Sequence, residues 1–355
     1  MMTDDWLILH GGALGDLVLT IQLVLRFPDA CATRHLRLVS RTNPGDLSRC
    51  RPSILRQSPE GLGLHWLFGE GDDPPERLLD VVRGARVLNA LGGPDTAVHR
   101  RLTELAPATL YSLDPRPRDG VQRHITEQWI TQLEAQGLLV PKCVHQRPAY
   151  SSLGVPDELR RPAQQMLLAR DFGTRAIRAR SASDGLPDGL DPPANSLARA
   201  RGSAAARNGV AVVHPGSGGR AKCWPLRCFT EVARLLQREQ QHSVRFVVGH
   251  VEQETWPADE LAALAREFTL LPGPSPDTLA TLLAAADAFL GNDAGPAHLA
   301  ALLGTPTVAI FGPTSPIIWR PLGPNVRVLA GDPASSPDDW GITPADVVHV
   351  IDEDV

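Results

Sequence analysis

Lysine is nearly absent from this chain. Lys142 and Lys222 stand alone among 35 cationic residues, and all the others are arginine. A genome biased toward arginine codons explains the scarcity, but a lysine inside a motif then stands out, and Lys222 is inside one. Cysteine is also scarce. Cys31, Cys50, Cys143, Cys223 and Cys228 are odd in number and form no CxxC pair, which argues against a disulfide framework or a zinc site and fits a reducing cytoplasm. Positive charge is not in surplus: 40 acidic residues outnumber the 35 basic ones, for a net charge of -5. That speaks against a nucleic-acid binder, although a local basic patch stays open. No apolar run is long enough to span a membrane. The N-terminus, MMTDDWLILHGGALGDLVLT, is acidic before its apolar stretch, where a signal peptide would be basic. The expectation is a soluble or peripheral cytoplasmic protein, and 355 residues suffice for two ordinary domains.

What is present alternates strand and helix. Trp6 to His10 reads as a strand running into Gly11-Gly12, and Leu14 to Phe27 as a helix. Leu36 to Ser40, Val81 to Ala90 and Thr109 to Leu113 are further strand candidates, and Ile125 to Gln136 is a helix stopped by Gly137. Residues 174–209 are rich in Arg, Ala, Ser, Gly and Pro and nearly lack aromatic and β-branched residues. Such a segment buries little apolar surface and reads as a flexible linker or loop. It separates a first domain over 1–173 from a second over 210–355. The second half restarts the pattern. Strands are expected at Val210 to His214, Val244 to Val248, Ala288 to Leu290 and Val308 to Phe311. Helices are expected at Cys228 to Glu239, Asp277 to Ala286 and Pro296 to Leu303, with a closing helix near Asp346 to Ile351. The fold class is therefore α/β, two Rossmann-like domains with mostly parallel sheets.

Three turns share one design, each following a strand and opening toward a helix: Gly11-Gly12-Ala13-Leu14-Gly15-Asp16, Pro215-Gly216-Ser217-Gly218-Gly219, and Asn292-Asp293-Ala294-Gly295-Pro296-Ala297-His298. Ligands of open parallel sheets bind beyond the C-terminal strand ends. Glycine lets backbone approach a phosphate, and a helix N-terminus offers free N–H groups and the positive end of its dipole. Two such turns in the second half place a phosphorylated ligand there, with the first domain facing it. In HPGSGGRAKCWPLRCF, Ser217 suits a phosphate oxygen and Lys222 a leaving pyrophosphate, against the bland reading of Lys222 as a solvated surface residue. Pro296 suits a first helical turn. His298 sits one turn further on, either donating to the anion or packed as a core histidine. Asp293 makes better sense shaping its loop than touching an anion, and Gly312-Pro313-Thr314 borders the same region. Asp16 reads either as a base facing the cleft or as a helix cap.

These motifs, GALGD, HPGSG-x3-K-x-WP and NDAGPAHLAALLGTPTVAIFGPTSP in this order and spacing, resemble glycosyltransferase family nine, the lipopolysaccharide heptosyltransferases and their relatives. The recognisable segments lie at residues 6–27 and 210–330. The resemblance implies a GT-B fold, two Rossmann-like domains facing across a cleft, with the extreme C-terminal segment able to pack back on the N-terminal domain. It implies an inverting transfer of heptose from an ADP-linked donor to a hydroxyl of a lipopolysaccharide-type or other glycan, with no essential metal and no cofactor beyond the donor. Asp16 matches the family's proposed base and Lys222 its phosphate-binding lysine. Asp293, Ala294, Gly295 and His298 match the loop around the donor phosphates, with Gly15, His214, Ser217 and Gly218 in the flanking motifs. Members often carry a small hydroxyl residue at the place of Ala294. Glu252 or Glu254 matches the acidic residue that holds the ribose. The implied partners are the nucleotide sugar and a glycan or lipid-linked glycan, with peripheral contact at the inner face of the cytoplasmic membrane; Arg49, Arg51 and Arg56 could assist there or be scattered surface charge.

Inversion needs one carboxylate to take the acceptor proton and positive groups where the pyrophosphate develops charge, not the carboxylate pair of a glycosidase. Asp72-Asp73 reads as a solvated loop and not as a metal-binding D-x-D. A nucleotide-sugar epimerase on the same architecture and a non-catalytic nucleotide-binding homologue are the alternatives.

Overall fold

Strands that are apolar at every position belong inside a parallel sheet covered on both faces, and four strands here are buried throughout. A computed structural model of the chain describes residues 6–27, 30, 35–71, 73–138, 153–168 and 209–352. The first sheet contains β1 (Trp6–His10), β2 (His35–Ser40), β3 (Ser53–Gln57), β4 (Arg86–Ala90) and β5 (Thr109–Ser112). The order is β3-β2-β1-β4-β5, and all pairs are parallel. The second contains β6 (Val210–His214), β7 (Ser243–Val248), β8 (Thr269–Pro272), β9 (Ala288–Asn292), β10 (Thr307–Phe311) and β11 (Val326–Ala330). Its order is β11-β10-β9-β6-β7-β8, again parallel. Strands β1, β6, β9 and β10 are the four buried at every residue. Both sheets reverse direction of winding beside their first strand, between β1 and β4 and between β6 and β9. That is where a doubly wound sheet opens a crevice for ligands. All three glycine turns leave β1, β6 or β9.

Helix α1 (Leu14–Leu25) is buried at every residue from Leu17 onward. A helix apolar on all sides must be covered on all sides. It packs on its own sheet and along the Gly295–Leu302 helix of the second domain, whose residues from Ala297 to Leu302 are buried too. One apolar cluster, including Ile8, Leu17, Ile21, Leu299 and Leu302, therefore runs through both domains. Gln22 Nε2 donates to Leu322 O at 2.5 Å, and His124 Nε2 donates to Arg320 O at 3.0 Å across the same junction.

Three features depart from, or add to, the sequence expectations. The strand expected over Val81 to Ala90 is split: Val81 and Val82 end the Glu76–Val82 helix, Gly84 turns at φ +68°, and β4 starts at Arg86. The Asp157–Leu168 helix lies within the span assigned to the first domain, but it packs on the Pro276–Ala285 helix, and Arg245 Nη2 donates to Leu167 O at 2.7 Å. The closing Pro344–Asp352 helix packs on the Leu226–Glu239 helix, burying Val347, Val348 and Ile351 against Phe229, Val232 and Leu236. The linker expected over 174–209 lies outside the described residues except for Gly209.

Candidate active site

The site forms where the N-termini of α1 and the Gly295–Leu302 helix face each other. Two glycines allow the approach. A Cβ on Gly295 would stand 2.7 Å from Leu14 Cβ, and one on Gly15 would stand 3.1 Å from His298 Cδ2. Gly15 thus serves the helix contact, and it brings Asp16, one residue on, to the second domain.

Asp16 sits half-buried in the first turn of α1. Ala13 occupies the cap position and makes no side-chain cap bond, and the Asp16 carboxylate takes no hydrogen bond among the described residues. The helix-cap role is therefore not the one it plays here. Burial pushes its carboxyl above the usual value. The nearby His298 and Lys222 oppose that shift, and Asp293 adds to it. Groups from both domains thus share one electrostatic neighbourhood.

The second domain builds the other half. Ala294 caps the Gly295–Leu302 helix without a side-chain bond; Pro296 has no N–H to offer and the Ala297 N–H donates to Ala294 O at 3.0 Å, so the Gly295 amide is the first-turn donor left for a ligand. His298 is 4% exposed, its Nε2 is 3.8 Å from Asp293 Oδ1, and its buried Nδ1 has no partner. Lys222 ends the short 3-10 turn Arg220–Lys222 and is exposed; its backbone N–H donates to Gly219 O at 2.9 Å, while its ammonium makes no hydrogen bond or ion pair among the described residues. Ser217 Oγ donates to Asp293 O at 2.9 Å, so its proton ties the two turns together. Gly218 opens onto empty space.

Two expected contacts take a structural form. His214 is buried in β6, and its Nδ1 donates to Val247 O at 3.0 Å; burial pushes its pKa down, with Glu252 pulling the other way. Of the two ribose candidates, Glu252 is buried and Glu254 exposed. Glu252 Oε2 accepts the Gly249 N–H at 2.8 Å, and its carboxylate occupies the space a Cβ on Gly216 would need.

Two residues went unread in the sequence. Asn292 is fully buried. Its Nδ2 donates to Pro215 O at 2.8 Å and Gly216 O at 3.3 Å, and its Oδ1 accepts the Trp224 N–H at 2.8 Å. It therefore joins all three segments of the second domain's site. Its place immediately before Asp293 in the motif was the available signal. The other is His10 at the end of β1, which burial pushes down to about 4, so it is neutral. On the first-domain side, a cavity of about 1000 Å³ opens beyond the ends of β4 and β5, walled by Leu91 to Thr96 and Asp114 to Asp119. Leu91 also lies against Gly11. Among the described residues no group of three or more His, Cys, Asp and Glu side chains is placed to hold a metal. Asp72 lies outside the described residues.

Two parallel Rossmann-like domains with ligand turns meeting at their switch points define the GT-B class. Residues 145–339, more than half of the chain, match the model of glycosyltransferase family 9 (heptosyltransferase), and the chain belongs to that family. Lipopolysaccharide heptosyltransferase 2 of Escherichia coli K12 is 36% identical over 116 residues, which cover 31% of this chain and 33% of that protein. The matched stretch spans about a third of the length of the curated relatives. Among solved structures, E. coli ADP-heptose lps heptosyltransferase II superposes with a TM-score of 0.59 at 20% identity, covering 98% of both chains. E. coli heptosyltransferase WaaC with ADP gives 0.58 at 18%, covering 99% of this chain and 100% of that one. At these identities the two structures establish a shared fold.

Proposed function

We propose that this chain is an inverting glycosyltransferase that moves heptose from ADP-heptose to a hydroxyl of a lipopolysaccharide-type glycan. The observation that carries the reading is the close approach of the α1 N-terminus, which bears Asp16, to the Gly295–Leu302 helix N-terminus across the domain junction, with Lys222 near enough to act on the carboxylate by charge. The relatives' names, which specify heptosyltransferases of lipopolysaccharide, supply the sugar and the acceptor class.

The chemistry follows from the arrangement. Asp16 takes the proton of the acceptor hydroxyl as its oxygen bonds the anomeric carbon. The bond from that carbon to the diphosphate breaks, and its electron pair leaves on ADP. Lys222 and the amides near Ala294 and Gly295 meet the charge that develops there. Attack opposite the leaving group inverts the carbon, and a single base suffices because the diphosphate already leaves well. Glu252 stands at the ribose end of this donor site, and the cavity beside Leu91 is the place for the acceptor glycan. No divalent ion is needed in this scheme, so turnover persists in chelator. The described helices include none long and apolar enough to cross a membrane. A lipid-linked acceptor is then met by peripheral contact at the cytoplasmic face.

The test is direct transfer. The purified chain is given ADP-heptose and lipopolysaccharide from a heptose-deficient strain, and mass spectrometry follows the glycan. Added heptose matched by released ADP supports the reading. An unchanged glycan, or turnover of a different nucleotide sugar in preference to ADP-heptose, contradicts it.

A further inference from the structure

His10 closes β1 with 2% of its surface exposed. The Gly12 N–H donates to its Nδ1 at 3.2 Å, so the neutral ring carries its proton on Nε2. That Nε2 is buried and has no partner. Buried donors in folded proteins are nearly always satisfied, and an orphan calls for an explanation. Its neighbour supplies one. A Cβ built on Gly12 would lie 3.5 Å from His10 Nε2 and 3.3 Å from Asp16 Oδ2. The imidazole edge and the carboxylate thus flank the same glycine with no side chain between them. One is a donor without an acceptor, and the other is an acceptor without a hydrogen bond.

We infer that His10 is a positioning residue for Asp16: its Nε2–H reaches the Asp16 carboxylate across Gly12 in the reactive complex and holds the base with one oxygen free for the acceptor proton. This rests on the transfer reading above. The titratable groups near Asp16 from the second domain, His298, Asp293 and Lys222, influence it electrostatically. His10, from the strand beneath α1, adds a directed hydrogen bond. A donor to a carboxylate favours its charged form. The bond therefore keeps Asp16 ionised at lower pH against the burial that opposes ionisation. Gly12 is required at its position because any side chain would part the pair.

The experiment compares His10→Leu, His10→Gln and Gly12→Ala in the full chain. It uses ADP-heptose and lipopolysaccharide from a heptose-deficient strain, and reads kcat/KM against pH, ADP affinity and the unfolding midpoint. In His10→Leu the acid limb of the pH profile moves up. The defect is then roughly tenfold at pH values below the limb, one pKa unit being a factor of ten, and it closes at high pH. Gln keeps an N–H donor and restores the limb. Gly12→Ala, which places a methyl group between the partners, reproduces the Leu shift. ADP affinity stays within about twofold throughout, because the donor phosphates lie on the other domain. An acid limb that stays in place in both His10→Leu and Gly12→Ala overturns the inference and leaves His10 as a turn-shaping residue, whatever happens to the unfolding midpoint. If His10→Leu fails to fold, Gly12→Ala and His10→Gln decide. A wild-type chain that transfers nothing from ADP-heptose overturns the functional reading itself, whereas normal wild-type transfer with an unmoved limb overturns this inference alone.

Discussion

The two domains share a strand order but hold their glycine turns differently. In the second domain the turns are tied to one another. Asn292 spans Pro215, Gly216 and Trp224, Ser217 reaches Asp293 O, and Glu252 fills the space at Gly216 while accepting the Gly249 N–H. In the first domain the turn after β1 is shaped by the Gly12 N–H bond to His10 and by the Thr42 hydroxyl donating to Gly12 O, and the Asp16 carboxylate takes no hydrogen bond among the described residues. The difference matches two jobs. A diphosphate is charged before and after the reaction, so its cradle gains from being rigid in advance. A base must change its proton count during the reaction, so its carboxylate meets one directed donor, His10, only in the reactive complex and keeps an oxygen free for the proton.

The largest expected effect falls on the untied side. Asp16→Asn lowers transfer by ~10²–10⁴-fold, the usual contribution of a general base, while ADP affinity measured by calorimetry stays near wild type. The same variant also carries a stability signature. Burial raises the folded-state pKa of Asp16, so the folded protein holds that proton more tightly than the unfolded chain does. The resulting stabilisation is present below the unfolded value and is lost as pH rises through the folded one. At pH 8 the Asn variant therefore unfolds at a temperature no lower than wild type. A catalytically dead variant that is also clearly less stable would mean that Asp16 supports the fold.

Lys222→Ala is next. It touches charge present in the donor and growing in the transition state, so donor binding and kcat fall together, by roughly 10- to 100-fold in kcat/KM. Loss of kcat alone would move Lys222 off the ground-state diphosphate. Asn292→Ala attacks the ties themselves. Three buried backbone groups lose their partner, at about 3 kcal/mol, and calorimetry should show a lower unfolding midpoint together with weakened ADP binding. An unchanged midpoint would mean that the tied and untied turns do not differ as described. The smallest effect is Ala294→Ser. A hydroxyl at this cap position stabilises a helix by about 1 kcal/mol and should sharpen ADP binding a few-fold at most.

The second domain was the more legible half in the sequence. Its central strands are continuous apolar runs, and its turns carry glycine, proline and histidine at spacings that announce themselves. Of the edge strands only Thr109–Ser112 was legible. Ser53–Gln57, Thr269–Pro272 and Val326–Ala330 are short edge strands, polar or partly exposed, and an edge position asks for no apolar run. At the site, Asp16 and Lys222 were visible through their motifs. The work of Asn292 and His10 was hidden because it consists of bonds to backbone groups far away in sequence or of the lack of any bond. The packing of the closing helix was hidden for a similar reason: Val347, Val348 and Ile351 announce an apolar face without saying which domain it covers.

The most direct measurement is a crystal structure of the chain with bound ADP-heptose. The account predicts the diphosphate within hydrogen-bond reach of Lys222 and the Gly295 amide, with the anomeric carbon turned toward Asp16. A diphosphate bound instead in the cavity beside Leu91, or an anomeric carbon facing away from Asp16, would contradict it.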